Sequence, residues 1–250
     1  MAKTGIVGLR DDSDVVNRAG LTILADLGEL PARLGYVPSF KRGGNVLDYE
    51  DFSNGLGAVL TYDSGVDSYV RLTNSPVATR GVACALCCGA GATDEASVYK
   101  YLPVPENTSL GFETWFTVGS TRGQIVIRLL FYTAAAWVQW AIRYNFYTYA
   151  LAYYNSAGSY TTFASLHLPN TYPTLFNRFK LVLDLASYEY NRLYLNEWKY
   201  ELQGKTGQVV ASTEARKLEA GIVLSYSTPI TGLCVVDNML LTQGEELAVC

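Results

Sequence analysis

The chain has 250 residues and a formal net charge of −4, with 17% charged residues against 49% hydrophobic ones. That balance supplies a core and excludes a largely disordered chain, while Lys and Arg, neither in excess nor clustered, leave no footprint for nucleic acid. No run of about 18 apolar residues exists, so membrane insertion as a helix is not expected.

Residues 1–45 differ from the rest. MAKTGIVGLR lacks an apolar stretch followed by a small-residue cleavage site, so the chain is expected to be made in the cytoplasm without a signal peptide. Five cysteines (Cys84, Cys87, Cys88, Cys234 and Cys250) fit a closed disulfide framework poorly, and most thiols are expected to stay reduced. A short helix is expected to start at Ser13 or Asp14, with Val16, Ala19, Ile23, Leu24 and Leu27 roughly on one side, although Gly20 and Gly28 work against it. LGYVPSFKRGGN then reads as a linker or an extended arm. The arm's apolar residues, Ile23, Leu24, Leu27, Tyr36 and Phe40 among them, form no core of their own. They must lie either on the chain's own domain or on a neighbouring subunit.

From Leu47 onward strands dominate. AVLTYD (58–63), SYVRLTN (68–74), GVACALCCG (81–89), ASVYKYLPV (96–104) and LGFETWFTV (110–118) are separated by Gly, Pro, Asn and Asp clusters. QIVIRLLFY (124–132), WVQWAIRYN (137–145) and TYALAYYN (148–155) follow, and ITGLCVVDNMLLTQ (230–243) comes last. EARKLEAGI (214–222) reads as a short helical turn. In NRFKLVLDLASYEYNRLYLNEW (177–198), Phe179, Leu181 and Leu183 alternate with polar residues up to Asp184, and Leu193 and Leu195 alternate after the polar turn 186–191. That is an antiparallel hairpin, in which Asp184 and Asn196 are expected to bond the turn backbone while Trp198 covers an edge. Short strands at this spacing predict an all-β sandwich or barrel over 46–250, with 1–45 as a docking segment.

The hairpin resembles that of the concanavalin A-like, laminin-G-like jelly-roll superfamily: an aromatic, alternating apolar residues, an Asp, a polar turn, then a strand ending in Asn. Phe179, Leu181, Leu183, Asp184, Leu193, Tyr194, Leu195 and Asn196 carry the match. DYEDFSNGLGAVL looks like the first strand, YKYLPVPENTSLGFETWF like two strands around a Pro-rich turn, and VVDNMLL like the closing strand. The resemblance covers roughly 47–243 and implies an antiparallel jelly-roll β-sandwich.

Candidate sites follow. The single histidine, His167, has no nucleophile elbow beside it. Glycosidases of this fold carry paired carboxylates alternating on one strand, but here Glu113 stands alone on its strand, and no enzyme activity is expected. Related jelly rolls join an acid near the first strand to an Asp in the closing strand as a calcium site. Asp51 and Asp237 occupy those places, although Phe52 is followed by Ser53 where an acid is typical, which weakens a site of six or more oxygens. No other cofactor is implied. Cys84, Cys87 and Cys88 lack the partner pair of a zinc ribbon and read as small buried residues. In WVQWAIRYN, Trp137, Gln139 and Arg143 share one face, and Tyr147 and Tyr149 continue the aromatic pattern. Trp137, Arg143, Tyr147 and Tyr149 form a surface for sugar rings or for another protein.

Two functions remain open. One is a structural subunit of a multi-subunit particle, a phage or virus component exposed at the particle surface, self-associating through its arm. The other is a glycan-binding, lectin-like module.

Overall fold

The computed structural model describes residues 43–74, 82–89, 91, 93–102, 104–119, 123–168, 176–225 and 232–247. The arm residues Ile23, Leu24, Leu27, Tyr36 and Phe40, the expected short helix and Cys250 lie outside these. The described residues form β1 (Asn45–Glu50), β2 (Leu60–Ser64), β3 (Tyr69–Thr73), β4 (Ala83–Cys88), β5 (Glu95–Leu102) and β6 (Ser109–Val118). Next come β7 (Gln124–Tyr132), β8 (Ala136–Asn145), β9 (Ala150–Tyr154), β10 (Tyr160–Ser165) and β11 (Asn177–Asp184). The last are β12 (Glu189–Leu195), β13 (Trp198–Thr206), β14 (Gln208–Ala211), β15 (Lys217–Ser225) and β16 (Gly232–Gln243).

These strands make two eight-stranded sheets that face each other as an antiparallel jelly-roll sandwich. Sheet A runs β13-β12-β11-β6-β16-β4-β3, and β1 pairs with the far half of β16, Tyr49 opposite Leu240. Sheet B runs β10-β9-β8-β7-β15-β5-β2, and β14 pairs with β8. An interior strand of each sheet is one of the last in sequence: β16 lies between β6 and β4, and β15 between β7 and β5.

Alternation builds the core. Phe112 and Phe116 of β6 and Leu181 and Leu183 of β11 point inward from sheet A. Ile127, Trp140 and Ile222 point inward from sheet B. Two polar links cross this apolar layer. The edge of β8 pairs with β14 up to Gln139 and with β9 from Ile142, which leaves the Ala141 N–H between partners. The Tyr190 hydroxyl fills that gap, accepting from Ala141 N at 2.8 Å and donating to Tyr154 O at 2.8 Å. Trp140 Nε1 donates to Tyr188 O at 3.1 Å. Burial pushes the Tyr190 hydroxyl well above the ordinary tyrosine range, so it stays a neutral donor.

The β11–β12 hairpin takes the expected form, with Leu181 opposite Leu193 and Phe179 opposite Leu195. Asp184 accepts from Ala186 N and Ser187 Oγ, both at 2.9 Å. Asn196 acts at the next turn: at φ 53° it takes Arg178 N at 2.9 Å, so it ties β12 to the start of β11. Trp198 lies half-exposed on the edge strand β13. The expected helical turn over 214–222 is a correction, because that segment enters β15. Leu218, Ala220, Ile222 and Leu224 face the core, and pairing on both sides overrides the helical preference of Ala, Glu and Lys.

Leu183→Ala is expected to lose about 2–5 kcal/mol, the range for emptying a packed leucine site, read from denaturant unfolding. Tyr190→Phe leaves the buried Ala141 N–H without its acceptor and is expected to cost about 1–3 kcal/mol in the same assay.

Candidate functional site

The outward residues of sheet B align in rows across its strands. Tyr132 lies opposite Trp137 on one side and Lys217 on the other. In the next row Leu130 separates Gln139 from Glu219, and Glu219 faces Tyr101. Beyond it Gly221 stands between Arg128 and Tyr99. A Cβ at Gly221 would fall 2.6 Å from Tyr99 Cβ, so glycine is what allows Tyr99 to close down on β15. Arg128 Nη2 meets Glu219 Oε1 at 3.1 Å in the middle of these rings. Lys217 Nζ lies 4.3 Å from the Tyr132 ring centre and 5.0 Å from that of Tyr101. Tyr62 and Tyr101 stay 50% and 52% exposed, so ring surface is open to solvent. The result is a platform of aromatic rings around one fixed ion pair.

Of the residues singled out from sequence, Trp137 is at one end of this platform. Arg143 is on the same face of β8 but six residues along, about 20 Å away at the rise of an extended strand. There its guanidinium lies 4.1 Å from the Tyr160 ring centre, and Tyr160 packs edge-on against Tyr154 at 5.0 Å. Burial pushes the Tyr160 hydroxyl up to about 12, although Arg143 pulls it down. Tyr147 and Tyr149 lie in the β8–β9 loop, a correction to the strand expected there, because β9 begins only at Ala150. Tyr149 has φ 57°, and its ring centre lies 4.4 Å from that of the exposed His167, the two rings tilted by 50°. Trp137 and Arg143 thus share a face without meeting, and Tyr147 and Tyr149 sit at the far end of β8. Tyr99, Tyr101, Tyr132 and the Arg128–Glu219 pair were not found from sequence. The signal for Tyr132 was available, since a tight hairpin sets the last residue of QIVIRLLFY opposite the first of WVQWAIRYN.

The other candidates separate. Asp51 accepts from Ser53 N at 3.0 Å and from the Ser53 hydroxyl, a local turn. Asp237 is buried where the pairing of β16 with β6 is bulged, between Val236 and Asn238. Among the described residues no group of three His, Cys, Asp or Glu side chains could hold a metal ion. Glu113 is buried on the outer face of sheet A, in register with Lys180 and Leu240. Cys84 and Cys88 join the core, and Cys84, Cys87, Cys88 and Cys234 are buried free thiols. Cys88 Sγ donates to Asp94 O at 2.9 Å.

No protein-family model matches the chain, and no curated protein sequence matches it. Solved structures do. The cellulose induced protein Cip1 superposes with a TM-score of 0.52 at 14% identity, over 81% of this chain and 100% of its own. The conserved carbohydrate esterase of the Shiga toxin-encoding bacteriophage phi24B gives 0.50 at 11%, over 81% and 100%. A β-glucanase of Bacillus licheniformis gives 0.47 at 11%, over 82% and 100%, too loose a match to argue from. These likenesses concern the fold alone, an antiparallel jelly-roll β-sandwich as expected from the hairpin.

Burial lifts the Cys84 and Cys88 thiols from 9.0 to about 12, so both are neutral at pH 8. Ellman's reagent is expected to leave Cys84, Cys88 and Cys234 unmodified in the native protein at pH 8 and to modify all three after denaturation. The unfolded chain releases the Cys84 and Cys88 protons near 9 and the folded one near 12. The stability they contribute is therefore complete below pH 9 and declines as the pH rises toward 12. The urea midpoint is expected to be lower at pH 10.5 than at pH 8.

Proposed function

We propose that the chain is a non-catalytic, glycan-binding jelly-roll module, with the sugar held on the outer face of sheet B. The carrying observation is the cluster formed by the exposed ring of Tyr101, the half-buried Trp137 and the buried Tyr132 in two adjacent rows around the Arg128–Glu219 ion pair. A pyranose has apolar C–H faces and a rim of hydroxyls. Tyr and Trp offer rigid apolar rings with a polar handle at low entropic cost. The guanidinium and carboxylate supply fixed donors and acceptors to the hydroxyls. Binding rather than turnover is favoured because hydrolysis needs two available carboxylates. Near these rings Glu219 is engaged by Arg128 and Glu214 by Lys217, at 3.1 and 2.5 Å. The phage esterase that shares the scaffold supports the fold and leaves the chemistry to this chain's own residues.

The second reading is a structural subunit of a multi-subunit particle, of a phage or virus, made with reduced thiols and self-associating. Two observations favour it: 42 residues with many apolar side chains precede the described structure, and the aromatic platform would suit a protein partner equally. The two readings combine if a particle subunit presents the platform outward.

A glycan array followed by titration calorimetry tests the first reading. The native chain is expected to bind a defined glycan class, and Trp137→Ala and Arg128→Ala are each expected to weaken binding about tenfold or more while leaving the unfolding midpoint within a few degrees. No binding at millimolar sugar, or binding indifferent to both substitutions, would overturn it.

A further inference from the structure

We infer, on the reading that sheet B binds a glycan, that this glycan is acidic and that Arg143 takes its carboxylate or sulfate. Strand register places two guanidiniums side by side. Arg128 lies opposite Ala141 and Arg143 opposite Val126, so the two are diagonal neighbours on one face of β7 and β8. Diagonal neighbours are about 7–8 Å apart, and like charges that close repel.

The sheet answers one of the two charges and leaves the other. Glu219 Oε1 meets Arg128 Nη2 at 3.1 Å. From Arg143 the same carboxylate is two strands and four residues away, about 17 Å at ordinary strand spacing and rise. Glu95, also on the outer face, lies three strands from β8 on β5. The third cation of the face, Lys217, is held by Glu214 at 2.5 Å. Among the described residues no carboxylate pairs with Arg143.

Arg143 is nevertheless fixed in place. Its guanidinium lies 4.1 Å from the Tyr160 ring centre, and Tyr160 packs edge-on against Tyr154 at 5.0 Å. The Tyr154 carbonyl in turn accepts from the Tyr190 hydroxyl at 2.8 Å. Burial raises the Tyr160 hydroxyl, while Arg143 and, more weakly, Arg128 draw it down, so both guanidiniums reach this spot. A guanidinium seated on a ring keeps its N–H edge for a ligand, and that planar fork matches a carboxylate or sulfate with two parallel bonds. A neutral hydroxyl returns a single bond without the charge.

The ground beside Arg143 suits the rest of a sugar. Its row runs through Val126, Val223 and Ser97 to Tyr62, four strand spacings or about 19 Å. Val126 and Val223 form an apolar cluster with Ala141, and the Tyr62 ring is 50% exposed. An extended oligosaccharide can therefore lay C–H faces on the valines while its acid group meets Arg143. A ring at the Arg128–Glu219 pair would be its neighbour.

A glycan array of matched pairs tests this, with uronate-, sialate- and sulfate-bearing oligosaccharides each beside a carboxyl-reduced or desulfated counterpart. The acidic member of at least one pair is expected to bind about tenfold or more tightly than its neutral counterpart, as a charge-assisted contact requires. That ratio is expected to fall severalfold between about 50 mM and about 500 mM salt. The pair that shows the preference identifies the oxyanion. In calorimetric titrations Arg143→Gln is expected to remove the preference, so that both members bind alike, whereas Trp137→Ala weakens both together. If Arg143→Gln lowers the unfolding midpoint, the salt dependence of the native chain decides instead. Equal or tighter binding of the neutral members, or a preference unchanged in folded Arg143→Gln, would overturn the inference and leave glycan binding standing. No binding to any member, acidic or neutral, would overturn both.

Discussion

The sandwich depends on one hydroxyl in its dry interior. At Ala141 the edge of β8 passes from β14 to β9, and its amide would otherwise be stranded there. Tyr190, rooted in β12 of the opposite sheet, reaches across to take that N–H and to donate to Tyr154 O. Dispersion holds the sheets together, but it does not fix their register, since apolar contacts are non-directional. Tyr190 and the Trp140–Tyr188 link add direction. They set which residues of β8 are available at the surface, and so where Trp137 and Arg143 stand.

From that placement the two outer faces diverge. Sheet B leaves the rings of Tyr62 and Tyr101 open to solvent and holds the Arg128 guanidinium over the buried Glu219 carboxylate. Sheet A carries Glu113, Lys180 and Glu245 at almost no exposure. Charges are buried only when paired, and the Lys180–Glu245 contact at 2.7 Å meets that condition.

The strand pattern was legible because period-two alternation survives wherever one face is core. The hairpin 177–198, the buried thiols of β4 and the inward Trp140 and Ile142 follow from it directly. β15 was misread because Ala, Glu and Lys favour helix locally, although Leu218, Ala220, Ile222 and Leu224 already alternate. The edge strands β13 and β14 are polar enough to pass for loop. The platform was only half legible. Trp137 is conspicuous in its own segment, but Tyr101, Glu219 and Arg128 come from three strands whose adjacency is set by sheet order, which no local window contains.

That sheet order governs how the molecule comes into being. β15 and β16 are interior strands, yet among the described strands they are the last to be synthesised. Until residues 217–243 have emerged, β5 and β7 have no common neighbour, nor do β4 and β6, and four strand edges stand open at once. Such edges pair readily with other chains. The nascent protein is therefore a set of half-sheets awaiting a keystone, and its most vulnerable moment is the interval just before synthesis reaches β15.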